Sequence, residues 1–245
     1  MRILIVNDDG IQSKGICRLA SLTRELGEVW VVAPHSQCSA MSHKISVFGT
    51  MEVIRETEFP VEGVTAYSLT GSPADCVKVG LDYLLPWKPD LVFSGINHGF
   101  NVGYDILYSG TVGAAMEALV NGIPAMAFSN DTNEDCRVSD RYLIPIVKSL
   151  LKKDIAPHAI WNVNFPAGDP EKVRGILEDR FTASMSAYRT LYHAGKEQEG
   201  RVELEIGNER QKGPEEGSDM AAVFAGYISV GKVESAVLRN RSSLK

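Results

Sequence analysis

Residues 2–34 constrain the fold more than any other stretch. Arg2 to Asn7 (RILIVN) is a continuous apolar, β-branched run, the pattern of a strand buried on both faces. Ile16, Leu19, Leu22 and Leu26 then recur three or four apart, and Gly27 stands where a helix C-terminal cap belongs. Val29 to Ala33 (VWVVA) is a second buried run, stopped by Pro34. Strand, helix, strand in so short a span is a βαβ unit, with parallel strands and a right-handed crossover. The predicted class is α/β.

The chain has 245 residues, enough for one large α/β domain or two small ones with a substantial core. No internal repeat, low-complexity segment or linker marks a boundary, so one domain over residues 1–245 is expected. A formal charge of -6 gives no attraction to a phosphate polymer, which argues against nucleic acid as a partner. A small anionic ligand is still allowed, because metals and helix ends attract anions locally. Cys17, Cys38, Cys76 and Cys136 lie far apart without a CxxC pair, so neither a zinc site nor a redox motif is indicated. Met1 leads directly into the first strand-like run, without the basic segment, long apolar stretch and cleavage site of a secretory signal. No run approaches the roughly 18 apolar residues of a membrane span. A reduced, cytoplasmic protein without membrane association is expected.

Further along, residues 34–50 lack periodicity and are rich in Ser and His, as expected of a long functional loop. Weak strand signals occupy 51–69, and a helix is predicted from about Ala74 to Leu84. Asp90 to Phe93 is a short buried strand, followed by a glycine-rich loop, SGINHGFNVGYD. TVGAAMEALVNG reads as a small-residue helix ending at Gly122, and IPAMAFS as the next strand. Ser139 is a predicted cap for a helix running to about Lys152, with Pro145 expected to kink it or shift its start. AIWNVNFP is a further strand. GILEDRF and RVELEIG read as strands separated by a polar stretch, GSDMAAVFAG as a short helix and YISVG as a strand, with an irregular tail from Glu234.

In an open parallel sheet, ligands bind beyond the carboxyl ends of the strands. Asp8 and Asp9 follow the first strand, residues 35–46 the second, and Ser94 to Asn101 the strand at Leu91. Adjacent side chains on a strand point to opposite faces, so both acids face one point only if the backbone turns, which Gly10 permits. Two carboxylates at one point suit a hard cation such as Mg²⁺ or Mn²⁺. A turn with one Asp capping the next helix would read the same. Asn97 can offer a carbonyl oxygen to a metal, and Asn101 an amide hydrogen to a phosphoryl oxygen. Ser109 and Thr111 are good capping residues, and Gly110 between them permits close approach to the start of a helix, where free N–H groups favour an anion. A simply well-capped, tightly packed helix would carry the same residues.

His35, His43 and His98 fall in the same loops, but no GxSxG elbow or triad spacing accompanies them. The glycine spacing is not that of a dinucleotide fingerprint. An Asp-x-Asp phosphatase arrangement is absent. The strand ending at Phe93 is followed by Ser94, where a receiver-type phosphoacceptor would need Asp.

VNDDG, the AP at 33–34 followed by Ser39, GSPADCV at 71–77, SGINHGFNVG at 94–103 and YSGTVGAAMEA at 108–118 together resemble the SurE survival-protein family of nucleotidases. The likeness covers about the first 130 residues closely. It continues more loosely through NVNFP at 162–166 and GSD at 217–219. It implies a Rossmann-like three-layer α/β/α core, about residues 1–170, with a mostly parallel sheet. Residues 171–245 would form an extension with a β-hairpin arm exchanged between the subunits of a homodimer or homotetramer. It implies a phosphomonoesterase acting on nucleoside 5′- and 3′-monophosphates with one divalent ion per subunit, Mg²⁺ or Mn²⁺. By the same resemblance the metal is held by Asp8, Asp9, Ser39 and Asn97, and phosphate by Asn101, Ser109, Gly110 and Thr111. Asp8, Asp9 and Asn101 then carry the catalysis. A nucleotide- or phosphate-binding sensor that does not hydrolyse its ligand would show the same acids and glycine-rich loop. The chain departs from the family pattern at Ala40, where Gly is commoner, at Ser72 in GSPAD, and in SVGKVESAV near the C-terminus. If the loop needs a positive φ at position 40, Ala40 is strained.

Overall fold

The computed structural model describes residues 1–132 and 135–243. The opening unit forms as its pattern dictates. Strand β1 (Arg2–Val6) leads into helix α1 (Lys14–Thr23) and strand β2 (Glu28–Pro34). β1 and β2 pair in parallel, Ile3 opposite Val29. Ser13 caps α1 by accepting the Ile16 N–H, and the helix tightens into a 3-10 turn, Arg24–Leu26, before Gly27.

The chain continues through β3 (Val53–Arg55), β4 (Thr65–Leu69) and α2 (Pro73–Val79), which runs on as a π-helical turn over Gly80–Leu84. Then come β5 (Leu91–His98), α3 (Gly110–Val120), β6 (Ala125–Asn130), α4 (Arg137–Leu150) and β7 (Ala159–Phe165). The last elements are β8 (Ile176–Arg180), β9 (Tyr188–Gln198), β10 (Arg201–Arg210), α5 (Asp219–Phe224) and β11 (Ile228–Glu234).

Among the described residues, one nine-stranded sheet has the order β3-β4-β2-β1-β5-β6-β7-β11-β8. β4 through β7 along this order are parallel, while β3 and β11 run antiparallel to their inner neighbours. The sheet grows outward from β1 in both directions, so the switch point lies between β1 and β5. Both faces are covered. Ile3, Ile5, Phe93, Phe128 and Phe165 pack with α1 and α4, whereas Leu4, Val6, Val92 and Ala127 pack with α2 and α3. This two-sided burial is why the strands read as unbroken apolar runs. β9 and β10 form a separate two-stranded hairpin. β8 and β11, on either side of the hairpin in sequence, join the main sheet. No helix of the described residues is long and apolar enough to cross a membrane.

Four expectations need correction. The strand predicted to stop at Phe93 runs to His98, taking SGINH out of the loop. Its register against β6 shifts between Ser94 and Asn97, and Gly95 is the residue that tolerates such an irregularity within a strand. α4 begins at Arg137, and Ser139 is a buried residue inside it whose hydroxyl donates to Cys136 O. Pro145 is accommodated within that helix. The polar stretch before RVELEIG is itself β9, which pairs with β10 while its side chains stay mostly exposed, so it carries no apolar signal. The tail forms 3-10 turns over Ala236–Ser243, and its last two residues lie outside the described residues.

Candidate active site

The site forms at the switch point, beyond the carboxyl ends of β1, β2 and β5. Asn7 donates from Nδ2 to Gly10 O at 2.9 Å and to Ser13 Oγ at 2.8 Å, which folds the chain back after β1. Gly10 completes this turn with φ +92°, a conformation that other residues rarely adopt. The turn presents both acids to the edge of the sheet.

Asp8 is 4% exposed. Its carboxylate accepts from Thr111 twice, from the hydroxyl and from the backbone N–H, the latter at 3.1 Å. Thr111 lies in the first turn of α3, so the helix dipole also faces this carboxylate. Gly110 makes the approach feasible: a Cβ there would sit 2.8 Å from Asp8 Cβ. Asp8 O accepts from Cys38 N at 2.7 Å, which ties the β2 loop to the acidic turn. Asp9 is more open, and its Oδ2 accepts from His98 N at 2.9 Å.

Burial pushes the Asp8 carboxyl up to about 6, with the charge of Asp9 adding to the rise and the Thr111 bonds opposing it. Burial also raises Asp9, against the His98 bond and charge. No Lys or Arg acts on either acid among the described residues. A buried carboxylate beside a second one, with no Lys or Arg acting on either, fits a bound divalent ion that would supply positive charge.

Neutral oxygens stand nearby. Asn97, Asp9, Gln37 and His98 line one cleft of about 240 Å³. Asn97 Nδ2 donates to Gly99 O at 2.8 Å, which leaves Oδ1 as its free acceptor. Ser39 is exposed on the β2 loop, and its Oγ accepts from Gln37 Nε2 at 3.0 Å. No group of three His, Cys, Asp or Glu side chains among the described residues could hold a metal. An ion here would therefore rest on two carboxylates and neutral oxygens.

The loop bearing Ser39 is pinned at several points. Ser42 donates from its N–H to Tyr108 O and from its hydroxyl to Leu107 O, and His43 pairs with Glu117 of α3 at 2.7 Å. Ser46 donates twice to Asp75 at 2.8 Å, while Asp75 also closes a capping box with Ser72. Position 40 does need a positive φ, and Ala40 adopts +56°. This costs of order 1–2 kcal/mol for a residue with a Cβ.

At the start of α3, Ser109 Oγ accepts from Val112 N at 3.1 Å, so its own hydrogen is left to donate. Thr111 is committed to Asp8 through both of its donors. Asn101 is 5% exposed and held from three sides by Ser129, Asn162 and Asn164. The sequence reading missed these three. The two Asn alternate with Trp161, Val163 and Phe165 of β7, which pack in the opposite core layer. Leaving such polar groups unpaired in a core costs about 1–3 kcal/mol each. The alternation in WNVNF is the signal that could have exposed them.

Asp219 was legible only as part of a loose motif. Its carboxylate accepts from Gly103 N, Ala183 N and Met220 N, clamping the end of the glycine-rich segment to α5.

Fold and site together define a Rossmann-like α/β protein with an acidic centre and a helix start at its switch point. The chain belongs to the SurE family: the family model described as Survival protein SurE matches residues 3–188. It is 39% identical over 246 residues to a 5'-nucleotidase SurE of Chloroflexus aggregans, covering 98% of this chain and 96% of that one. A 5'-nucleotidase SurE of Clostridium botulinum is 35% identical over 234 residues, covering 94% of this chain and 91% of that protein. The crystal structure of the SurE protein from Aquifex aeolicus matches with a TM-score of 0.80 at 34% identity, covering 99% of this chain and 98% of that one.

Proposed function

We propose that the protein is a divalent-metal-dependent phosphomonoesterase that hydrolyses nucleoside 5′- and 3′-monophosphates to nucleoside and phosphate. One observation carries the reading: Asp8 is buried beside Asp9 without a Lys or Arg partner, and is held there by the first turn of α3. The names of the family relatives, 5'-nucleotidase SurE, support a nucleotidase. They speak to the 5′ position alone.

Asp8, Asp9, Ser39 and Asn97 are the residues that would hold one Mg²⁺ or Mn²⁺ per subunit, a donor set of hard oxygens. When bound, the ion supplies Lewis-acid stabilisation of charge on a phosphoryl oxygen. The chain provides the remaining interactions. Thr111 fixes the Asp8 carboxylate by two hydrogen bonds. Asn101 donates one amide hydrogen to Ser129 and keeps the second for a phosphoryl oxygen. The Ser109 hydroxyl and the Gly110 N–H, at the positive end of α3, take further phosphoryl oxygens. Asp9 lines the cleft, and with Oδ2 held by His98, its Oδ1 accepts the proton of the attacking water. The water oxygen bonds to phosphorus as the bond from phosphorus to the nucleoside oxygen breaks; the leaving oxygen takes a proton from solvent, and Asp9 returns its proton to solvent.

The assembly follows from the same reading. The β9–β10 hairpin exposes Tyr192, Val202, Leu204 and Ile206, an apolar arm suited to exchange with a second copy in a homodimer or homotetramer.

The deciding assay follows inorganic phosphate released from 5′- and 3′-monophosphates of each nucleoside. Release that stops with EDTA and returns with Mn²⁺ or Mg²⁺ is the expected result. Tight binding of a nucleotide with no release under any of these metals would make the protein a sensor instead.

A further inference from the structure

We propose that Ser129 is a positioning residue for the reaction, fixing the plane of the Asn101 carboxamide while Asn162 and Asn164 hold the backbone that carries it. This rests on the reading of Asn101 as a phosphoryl ligand.

Asn101 lies beyond the end of β5, in a connection where little regular structure would hold it. Its backbone N–H, its carbonyl and one amide hydrogen are taken nonetheless. The N–H of Asn101 donates to Asn164 Oδ1 at 2.8 Å. Its carbonyl accepts from Asn162 Nδ2 at 2.9 Å and from Asn164 Nδ2 at 3.1 Å. Its side chain donates from Nδ2 to Ser129 Oγ at 2.8 Å. These three partners come from two adjacent strands in the middle of the sheet, with Ser129 of β6 directly opposite Asn164 of β7. They are rigid supports, each at most 3% exposed.

The register extends the arrangement. Asn97, a candidate metal ligand, stands opposite Ser129 on the other side. Asn97, Ser129 and Asn164 thus form one row across β5, β6 and β7. The row links a metal-binding position to the support of the phosphate-binding one.

The chemistry asks for such support. The terminal torsion of an Asn side chain is broad and weakly restrained. Without a partner for Nδ2, the carboxamide would rotate and could turn its oxygen toward an anionic phosphoryl group. Ser129 accepts one amide hydrogen, which holds the second in a set direction. Asn162 and Asn164 remove the remaining freedom of the backbone. Asn162 Oδ1 has no protein partner among the described residues, so this side chain is placed for its donor to Asn101.

A positioning role acts only through Asn101, and a double-mutant cycle isolates it. Ser129→Ala and Asn101→Ala are compared singly and together, with AMP as substrate and Mn²⁺ present. Ser129→Ala is expected to lower kcat about tenfold, with KM changed less than twofold, because a misdirected group weakens the reacting geometry more than binding. In the Asn101→Ala background the same change should alter kcat less than twofold. Equal factors in both backgrounds, or an unchanged kcat in Ser129→Ala, would overturn the proposal. Should Ser129→Ala fail to fold, Ser129→Cys keeps the side-chain volume with a weak acceptor and is judged by the same criteria. An unchanged kcat in Asn101→Ala would instead overturn the role of Asn101 itself.

Discussion

Two buried acids sit at opposite ends of α3, and they are handled in opposite ways. Glu117, in the helix's second half, is 6% exposed. It meets His43 at 2.7 Å, Lys78 at 3.7 Å and Asn121 at 3.0 Å. Burial pushes its carboxyl up, but the His43 and Asn121 bonds and the nearby charges outweigh this and leave it lowered. Asp8, against the helix's first turn, is as deeply buried but has neutral support alone, chiefly from Thr111, and Asp9 as a second negative charge. Its carboxyl is raised to about 6. Glu117 is a carboxylate held for cohesion by charged and polar partners, and Asp219 is one held by three backbone N–H groups; Asp8 differs from both in having a second carboxylate beside it. Asp8 is left short of positive charge beside Asp9, which lines the cleft, as a ligand-binding carboxylate would be.

The largest expected effect is on turnover. Asp8→Asn and Asp9→Asn should each lower kcat by about 10²–10³-fold, the range for losing a major electrostatic contact with the reacting group. The folded structure should persist, as read by circular dichroism. Glu117→Gln should leave kcat within about threefold. A matching loss of turnover in Glu117→Gln would erase the distinction between the two acids.

The pH dependence of stability should have opposite signs. For metal-free protein, Asp8 binds its proton more tightly when folded, at about 6 against an ordinary 3.8. Stability from this group is therefore present at low pH and falls as pH rises from about 4 to 6, by about 3 kcal/mol in total. Asp8→Asn should abolish that decline in urea unfolding. Glu117 has a lowered carboxyl, so its contribution is present above the ordinary carboxylate range and is lost as pH falls through its folded value. Glu117→Ala should cost about 1–3 kcal/mol at pH 7 and less on acidification.

The smallest effect is expected in the loop that carries Ser39. Ala40 has φ +56°, so Ala40→Gly should relieve strain and change stability by about 1 kcal/mol in the favourable direction, measured by thermal unfolding. A loss of stability would mean that the methyl group contributes more than the strain costs.

The comparison also shows what a sequence can and cannot reveal. The βαβ start was legible because buried parallel strands and an amphipathic helix have distinct periods. The acidic turn was legible because Asp8, Asp9 and Gly10 are adjacent. The Asp8–Thr111 contact joins residues 103 apart, and only the family resemblance brought them to one site. Glu117 looked like an ordinary helix residue, since its partners His43 and Lys78 come from a loop without periodicity and from another helix. Asn162 and Asn164 were visible only as part of the loose NVNFP match, without a role, and Ser129 ends an otherwise apolar strand run. β9 was missed because a strand exposed on both sides has no alternation to read.

The central claim is that Asp8 and Asp9 form a divalent-cation site. Calorimetric titration of Mn²⁺ into the metal-free protein tests it most directly, with wild type, Asp8→Asn and Asp9→Asn compared at pH 7.5. The account predicts one ion bound per subunit in wild type and at least about tenfold weaker binding in each variant. No binding by the folded wild type, or equal affinity in the variants, would contradict it.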